Sequence, residues 1–269
     1  MIKILIALVI VLCLAFVLAT RGRRKHPGLE KLRGWNYAHR GLHDGTKPEN
    51  SLAAFRAAVE RGYGMELDVH LLKDGKLAVI HDSLLKRTTG AEGKVEDLTE
   101  DQLSGYHLEG TDQTIPTLQQ VLEVCDGKTP LIIEIKTDGG NYATLTQAVC
   151  ELLQSYHGLY CIESFDPRCI RWLKKNRPQL VRGQLSSNYL VKKAKQPWVL
   201  RFAMTCLLTN FLTMPDFVAY DFAHRKSLGC FLSRKLWGVQ GVTWTLRSME
   251  EYSLAVQDGW LPIFENFTP

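Results

Sequence analysis

The sequence predicts an α/β fold, a (β/α)8 barrel of the TIM type, preceded by one N-terminal transmembrane helix. Two observations indicate this architecture. After residue 34, eight short β-rich runs are separated by helical patterns or long crossovers, and parallel strands need crossovers of a dozen or more residues. Ahead of them lies an unbroken apolar run, Ile4–Ala19. Eight such units in about 235 residues fit a closed barrel. An open doubly wound sheet is the alternative, but no glycine-rich fingerprint follows the first strand.

The N-terminal apolar run approaches the ~20 residues that a helix needs to cross a bilayer core. Four basic residues follow it at once: Arg21, Arg23, Arg24 and Lys25. A secretory signal peptide would place its positive charge before the run and small residues after it, whereas only Lys3 precedes this one. We therefore expect an uncleaved single-pass anchor in the cell membrane. The positive-inside tendency then places the following domain in the cytoplasm.

These features divide the chain into an anchor with its basic flank over 1–24, a linker over 25–33 and the barrel over 34–269.

The composition is that of a globular protein, since 45% of the 269 residues are hydrophobic and 23% are charged. The net charge is +5, but residues 1–33 hold seven Lys/Arg and one acidic residue, so the remaining chain is at −1. A nucleic-acid-binding domain would carry its positive charge on the folded part, so no nucleic-acid partner is expected. Seven cysteines without a CxxC pair are typical of buried thiols in a reducing compartment.

The predicted elements follow from apolar periodicity. The eight strands are Trp35–His39, Met65–Val69, Pro130–Ile135, Tyr160–Ile162, Val181–Leu185, Phe217–Tyr220, Val242–Thr245 and Leu261–Phe264. The helices with clear periodicity are Ser51–Arg61, Thr117–Cys125, Asn141–Tyr156, Pro167–Asn176 and Met249–Val256.

A β-hairpin interrupts the alternation after the second strand, because the residues between 68 and 81 leave no room for a helix. Asp74-Gly75 is a strong signal for a two-residue hairpin loop, since both residues tolerate positive φ angles. With that loop, Asp68 would lie opposite His81, with Cβ atoms about 5 Å apart.

Polar residues cluster at the carboxyl ends of the predicted strands, which is where barrels of this kind carry their active sites. Glu66 and Asp68 are two apart on one strand and therefore share a face. His81 joins that face through the hairpin, and His39 ends the neighbouring strand. Glu134 and Lys136 repeat the two-residue spacing across the barrel. Each piece alone has a structural explanation, such as a rim histidine, a solvated edge or an ion pair. Because all of these residues are predicted at the same end of the barrel, together they indicate a site.

Three carboxylates on converging strands would repel one another unless a cation were bound. Glu66, Asp68 and Glu134 offer hard oxygen donors, which suit Mg²⁺ or Ca²⁺, with Mn²⁺ as a further option. Zinc is less expected, because its ligand sets usually contain more histidine.

The remaining polar groups suit the chemistry of a phosphate ester. Arg40 and Lys136 offer positive charge, and arginine can hold phosphate oxygens through two parallel hydrogen bonds. His39 and His81 have the pKa range for a general base and a general acid. A cation, a phosphate clamp and an acid–base pair together indicate phosphodiester cleavage.

Eight stretches together resemble the glycerophosphodiester phosphodiesterase family of the PLC-like phosphodiesterase superfamily, in a membrane-anchored, bacterial-type form. They are AHRG (38–41), PENS (48–51), GMELDVHLLKDGKLAVIHD (64–82), LKRTTG (85–90), IPTLQQVL (115–122), IEIK (133–136), ESFDP (163–167) and VTWTL (242–246). The resemblance covers nearly all of the chain after residue 34, in the family's order.

The resemblance implies hydrolysis of small or lipid-derived glycerophosphodiesters to an alcohol and glycerol 3-phosphate. It implies one divalent cation on the three carboxylates and acid–base roles for the two histidines. It further implies phosphate contacts from Arg40 and Lys136, a place beside the metal or the glycerol hydroxyls for Glu49, and a pocket wall of Phe165 and Trp244. The resemblance is compatible with two attacking groups. One is water, and the other is an adjacent glycerol hydroxyl, which would form a cyclic phosphate. The alternatives are a lysophospholipid or phosphoinositide phosphodiesterase on the same barrel, or a non-catalytic lipid- or anion-binding barrel.

Two segments depart from the family pattern. The last strand usually ends in Thr-Asp, but this chain has Phe264-Glu265-Asn266, which we expect to reshape the pocket floor without contacting the two histidines. Trp198–Met214 is unusually apolar. We interpret it either as a helix packed on the barrel or as a membrane-facing lip near the site mouth, which would favour lipid-derived substrates. The alcohol group, the choice of metal and the oligomeric state are not determined by the sequence.

Overall fold

Eight parallel strands close into a barrel, because the first strand pairs with both the second and the last. The computed structural model describes residues 1–191 and 196–269. The strands are β1 (Tyr37–Ala38), β2 (Gly64–Leu71), β3 (Leu77–Val79), β4 (Leu131–Ile135), β5 (Tyr160–Ser164), β6 (Arg182–Ser186), β7 (Phe217–Asp221), β8 (Gln240–Leu246) and β9 (Trp260–Phe264). Only β3 is antiparallel to its neighbour, as the hairpin partner of β2. The predicted (β/α)8 barrel and its hairpin excursion are confirmed.

The helices precede the barrel, close its N-terminal end or pack on its outside. They are α1 (Ile2–Ala19), α2 (Pro27–Leu32), α3 (Leu52–Glu60), α4 (Lys86–Thr89), α5 (Leu118–Cys125), α6 (Tyr142–Leu152), α7 (Pro167–Asn176), α8 (Trp198–Thr205), α9 (Asn210–Thr213), α10 (Leu228–Phe231) and α11 (Met249–Gln257). The five helices predicted by periodicity are present. Side chains at their N termini satisfy free backbone groups, as when the Ala54 N–H donates to Ser51 Oγ at 3.1 Å. The seven cysteines are free thiols.

The pattern of β2 separates the outer core from the site. Leu67 and Val69 point outward into the apolar layer between strands and helices, and the alternating Glu66 and Asp68 point inward. Because a fully buried strand would ordinarily be apolar on both faces, these inward carboxylates are an energetic cost that the rest of the site must offset.

A short helix lies inside the segment expected to be a linker. Leu29 and Leu32 of α2 are buried among the side chains that fill the barrel interior, which include Leu185, Phe217, Ala219, Val242 and Ile263. The Tyr37 hydroxyl donates to the Leu32 carbonyl at 2.7 Å. Helix α2 therefore plugs the N-terminal end of the barrel, and residues 27–32 belong to the folded domain rather than to a linker.

The basic residues after α1 contact the barrel. Arg23 donates to both carboxylate oxygens of Asp216, at 2.5 and 2.6 Å, and Arg24 donates to the carbonyls of Leu236 and Trp237. Residues 2–15 of α1 are exposed. This helix is long and apolar enough to cross a membrane, as an anchor and a signal sequence both would be.

The predicted register of the hairpin is wrong by one residue. Val69 pairs with Val79, and the Ile80 N–H donates to the Asp68 carbonyl at 3.1 Å, so Asp68 lies opposite Ile80 and not His81. The loop has three residues instead of two, and Gly75 at its end has a φ of +83°. Loops of three residues commonly end with glycine in the left-handed region, so the Asp-Gly pair fits both lengths.

Removing an apolar side chain from the plug should destabilise the whole barrel. We expect Leu32→Ala to lower the free energy of unfolding by about 2–5 kcal/mol, because the residue is buried and a cavity would remain. Lys31→Ala, on the exposed side of α2, is the matched control and should stay within about 0.5 kcal/mol. Denaturant titration of the full chain in detergent measures both. Equal midpoints for the two variants would show that α2 is not part of the core.

Candidate active site

Three buried carboxylates meet at the carboxyl ends of β2 and β4. Asp68 lies in register with Glu134 on the neighbouring strand, and Glu66 precedes Asp68 by one full pleat. Each of the three offers an oxygen within 4.8 Å of the other two. The structure therefore brings together the carboxylates predicted to bind a metal.

The pKa values of these groups show that the cluster does not hold three negative charges unaided. Burial, together with the charges of Asp68 and Glu134, raises the pKa of Glu66 well above its usual value. Burial also raises the pKa of Glu134, to about 7, against the opposing effect of Lys136. For Asp68 burial acts in the same direction, but the positive charges of Lys136 and Arg40 outweigh it and hold its pKa well below the usual range.

Lys136 lies between two of the carboxylates. Its Nζ is 3.0 Å from Asp68 Oδ1 and 2.8 Å from Glu134 Oε1. Burial opposes the charged ammonium, but the neighbouring carboxylates outweigh burial and raise the pKa of Lys136. The side chain therefore remains protonated at neutral pH and supplies a fixed positive charge.

Arg40 reaches the cluster from the loop between β1 and α3. Its backbone lies in the left-handed region, with a φ of +56°, and its N–H donates to Glu66 Oε2 at 3.1 Å. Its guanidinium donates to both oxygens of Glu49 at 3.0 Å and lies 3.4 Å from Asp68 Oδ2. Glu49 thus holds Arg40 and does not face the carboxylate cluster.

His39 follows β1 and is oriented by a carboxylate that the sequence analysis did not assign. Its Nδ1 is 2.5 Å from Oε2 of Glu265, and its Nε2 is 3.9 Å from Oε2 of Glu66. Burial would raise the pKa of Glu265, but the hydrogen bond to His39 outweighs it and lowers that pKa. An ionised carboxylate only accepts hydrogen bonds, so Nδ1 carries a proton. Because burial lowers the pKa of His39, the ring is neutral at neutral pH, and the Nε2 that faces the cluster is then unprotonated. The expectation that the segment Phe264-Glu265-Asn266 would not contact the two histidines is wrong, because the closure of β1 on β9 places Glu265 beside His39.

His81 has the same arrangement on the other side. Its Nδ1 donates to Asp82 Oδ1 at 2.6 Å, and Asp82 in turn accepts from Arg87. The predicted pairing across the hairpin does not bring His81 here. The chain leaves the ladder after Val79, buries Ile80 in a separate apolar cluster, and turns His81 toward the site.

The two histidines, Glu66 and Glu134 line a cavity of about 50 Å³. Its wall includes both aromatic residues predicted for that role, Phe165 and Trp244, whose rings meet edge-on at 5.7 Å. The adjoining open cleft, about 710 Å³, shares His81, Lys136 and Phe165 with the small cavity. The site is thus a narrow chamber with a wide mouth.

Ten residues were predicted for the site. Eight of them line the chamber, Asp68 contacts Lys136 and Arg40, and Glu49 holds Arg40. A further carboxylate, Glu163 on β5, was missed. It is in register with Glu134, and burial, together with Glu134, raises its pKa well above the usual value. Its Oε2 accepts no hydrogen bond from residues 1–191 or 196–269. Its position two residues before Phe165 could have placed it on the inner face.

Comparison with known proteins agrees with this geometry. Residues 39–268 match the model of the glycerophosphoryl diester phosphodiesterase family. The chain belongs to this family. A glycerophosphodiester phosphodiesterase from Caldanaerobacter subterraneus subsp. tengcongensis is 33% identical over 237 residues, which cover 82% of this chain and 89% of that protein. The chain is therefore a phosphoric diester hydrolase by family.

Two other similarities are informative. Rat lysophospholipase D GDPD1 (Rattus norvegicus) is 40% identical over 132 residues, or 44% of this chain and 40% of that protein. An Oleispira antarctica phosphodiesterase, solved in complex with the product sn-glycerol-3-phosphate, has a TM-score of 0.73 at 22% identity and covers 90% of this chain and 95% of its own. At that identity the second similarity supports the fold of this glycerophosphodiester phosphodiesterase family member, not its substrate.

The carboxylate of Glu265 should tune the protonation of His39. Burial lowers the pKa of His39, and the hydrogen bond and charge of Glu265 oppose that effect. In Glu265→Gln the opposition is lost, so we expect the pKa of His39 to fall further and the imidazole to remain neutral to lower pH. NMR titration of the His39 ring in the metal-free protein measures this. Glu123→Gln on the exposed face of α5 is the control, and an unchanged His39 titration in Glu265→Gln would contradict the assignment.

Proposed function

We propose that this protein hydrolyses glycerophosphodiesters to an alcohol and glycerol 3-phosphate. The observation that supports it most directly is the pairing of two imidazoles, each oriented by its own carboxylate, on opposite sides of one carboxylate cluster. Between them lie two fixed positive charges, Arg40 and Lys136. A phosphodiester presents an anion between two ester oxygens. The two positive charges complement the anion, and the two imidazoles complement the two ester oxygens.

The carboxylate cluster suits a divalent cation of the hard kind. Glu66, Asp68 and Glu134 supply oxygen donors, and the raised pKa of two of them reflects charge that a cation would neutralise. We propose Mg²⁺ or Ca²⁺ there, with Mn²⁺ as a further option. When bound, such an ion would polarise a phosphoryl oxygen and favour deprotonation of a nearby hydroxyl.

A second group of potential ligands is less suitable. His39, His43 and Glu265 also bring one ligand atom each within 4.8 Å. In that group, however, the His39 Nδ1 proton and the Glu265 carboxylate already form a hydrogen bond of 2.5 Å. Binding a metal would break the pair that orients His39, so we assign the cation to the carboxylate cluster.

The phosphate would be held by Arg40 and Lys136. Glu49 fixes the guanidinium of Arg40, so its position is set before substrate arrives. The raised pKa of Lys136 keeps its ammonium charged. Since both charges are buried and pre-oriented, they can stabilise the extra negative charge of the transition state without reorganisation.

The two histidines divide the proton transfers between them. His39 Nε2 faces the buried cluster and is unprotonated, so it can accept the proton of the attacking hydroxyl. His81 lies at the mouth, with 32% of its side chain exposed. Burial lowers the pKa of His81, and the charge of Asp68 and the hydrogen bond to Asp82 oppose that effect. In the proposed role His81 takes up a second proton, on Nε2, and gives it to the oxygen of the departing alcohol. The attacking group is water or an adjacent glycerol hydroxyl, and either one loses its proton to the same nitrogen.

Loss of either imidazole should remove turnover. We expect His39→Gln and His81→Gln to lower kcat by about 10²–10⁴-fold or more, because general acid–base catalysis contributes on this scale. His157→Gln, an exposed histidine distant from the chamber, is the matched control. The assay is release of glycerol 3-phosphate from glycerophosphodiesters, with circular dichroism to verify folding. A folded His39→Gln protein with normal turnover would contradict the proposed base.

Cation removal should be reversible. We expect a chelator to abolish glycerol 3-phosphate release and added Mg²⁺, Ca²⁺ or Mn²⁺ to restore it. Titration calorimetry on the full chain should show weaker cation binding by Asp68→Asn than by Asp101→Asn, an exposed control. Full activity in excess chelator, or equal cation affinity in the two variants, would contradict the metal assignment.

Lysophospholipids are the second candidate substrate class. The wide mouth carries Phe165 and the exposed Leu84, and a related protein is named lysophospholipase D. Such a substrate shares the glycerophosphodiester linkage and adds an acyl chain that these apolar groups could accommodate. Nothing comparable favours phosphoinositides, and membership in a hydrolase family argues against a non-catalytic barrel.

We also propose that α1 is retained as a single-pass anchor in the cell membrane, with the barrel on the cytoplasmic side. The last turn of α1 contributes to the folded domain, since Trp237 Nε1 donates to the Val17 carbonyl at 3.0 Å and Thr20 is buried. Cleavage as a signal sequence would remove these contacts. The basic residues that follow α1 support the cytoplasmic orientation.

A further inference from the structure

The length of α1 limits how far the barrel can stand from the membrane. Helix α1 has 18 residues, or about 27 Å at 1.5 Å per residue. The hydrocarbon core of a bilayer is about 30 Å thick. If α1 spans the membrane, as proposed above, almost its entire length must lie within the hydrocarbon, including the turn that contacts the barrel.

That last turn contacts two helical segments of the barrel. Phe16 meets Phe202 of α8 with ring centroids 6.3 Å apart, and Phe202 stacks on Trp198 at 5.6 Å. On the other side, the Val17 carbonyl accepts from Trp237, which follows the helical segment 228–236. The residues of the barrel that contact α1 must therefore lie at the level of the membrane interface.

Exposed apolar side chains surround this point of contact. They are between 41% and 70% exposed and comprise Trp198, Val199, Leu200, Phe211, Leu228, Phe231 and Leu236. The two helical segments that carry most of them pack directly together, because a Cβ on Gly229 would lie 2.4 Å from the Cys206 carbonyl oxygen. We name these seven residues the apolar flank. Exposed apolar side chains gathered on neighbouring helices usually mark an interaction site.

Basic residues border the apolar flank. Arg225, Lys226, Arg234 and Lys235 line a groove of about 300 Å³ together with Phe231. Arg225 and Arg234 are engaged with Phe222, Trp260 and nearby carbonyls or carboxylates. Lys226 and Lys235 form no ion pair with any residue in 1–191 or 196–269. Apolar residues beside available ammonium groups are typical of surfaces that bind anionic phospholipids.

We propose that the apolar flank lies in the boundary between headgroups and acyl chains of the bilayer that α1 spans, with Lys226 and Lys235 at the level of the anionic headgroups. The proposal rests on the proposed anchoring role of α1. It adds that the barrel is held against the membrane by its own side helices and does not hang from a flexible tether.

The same surface connects to the active site. The Arg201 guanidinium of α8 donates to the Tyr189 carbonyl at 2.7 Å, and the Tyr189 ring meets Phe165 of the chamber wall at 6.5 Å. These contacts connect the apolar flank to the wall of the chamber, and the activity measurement below tests whether a lipid-derived substrate depends on the flank.

Site-directed spin labelling of the full chain in anionic liposomes tests the proposal. Labels are placed by Val199→Cys and Phe231→Cys, with Arg56→Cys on α3 as the matched exposed control. The background carries Cys13→Ser and Cys206→Ser, because the remaining cysteines are buried. A separate sample keeps the native Cys13 within α1 as the reporter of insertion. Relative accessibility to oxygen and to a water-soluble nickel chelate measures depth.

We expect the Cys13, Val199→Cys and Phe231→Cys labels to favour oxygen and the Arg56→Cys label to favour the nickel chelate. If Cys13 is in lipid while the two flank labels match Arg56→Cys, the proposal is overturned and the anchor stands. If Cys13 itself is in water, the anchor fails and the proposal with it. Flank labels shielded from both reagents would show a second copy of the chain or another protein covering the surface, which also overturns it.

An activity measurement tests the consequence for substrate access. We expect Val199→Asp combined with Phe231→Asp to lower the hydrolysis of a lysophospholipid in liposomes several-fold and to leave a soluble glycerophosphodiester unaffected. Neither residue lines the chamber. Equal loss on both substrates, or no loss on either, would contradict membrane docking through this surface.

Discussion

The structure depends on one electrostatic constraint: three carboxylates buried together in a medium of low dielectric cannot all be charged without compensation. The barrel meets it with fixed cations. Lys136 contacts two of the carboxylates, and Arg40 contributes both its backbone N–H and its guanidinium. The raised pKa of Glu66 and Glu134 shows that these two charges do not complete the compensation. A cluster that remains short of positive charge is suited to bind a divalent cation, and the same constraint that costs stability thereby supplies the binding energy.

The two halves of the site are held together by a single side chain. Arg87, from α4, contacts Asp82, which orients His81, and both oxygens of Glu49, which holds Arg40. The imidazole proposed for acid–base catalysis and the guanidinium proposed to bind phosphate are therefore both held, through Asp82 and Glu49, by the guanidinium of Arg87. Arginine suits this position because its planar fork can satisfy two carboxylates at once. Arg87, Asp82 and Glu49 thus set the distance between His81 and Arg40.

Periodicity was sufficient to predict the barrel, its eight strands and the convergence of the carboxylates, because strand alternation and strand-end position follow directly from spacing. It failed where two local geometries share one sequence signal. Asp74-Gly75 fits a loop of two or three residues, so the hairpin register was not determined. Helix α2 is too short, and too close to a proline and a glycine, for periodicity to separate it from a linker. Glu265 comes from the opposite end of the chain from His39, and only the closure of β1 on β9 brings them together.

The two ends of the barrel have different tasks, and one segment connects them. The N-terminal end holds the plug helix α2 and the Arg23–Asp216 pair that follows the apolar helix, whereas the carboxyl end holds the chamber. Described residues between β6 and β7 contact both of these ends. Near the start of this segment Tyr189 meets the aromatic wall of the chamber, and near its end Asn210 Nδ2 donates to the Thr20 carbonyl at 3.3 Å. Because the same stretch contacts both the site wall and the base of α1, the position of the chamber relative to α1 is fixed by packed structure, and any membrane that α1 crosses has a defined place beside the barrel.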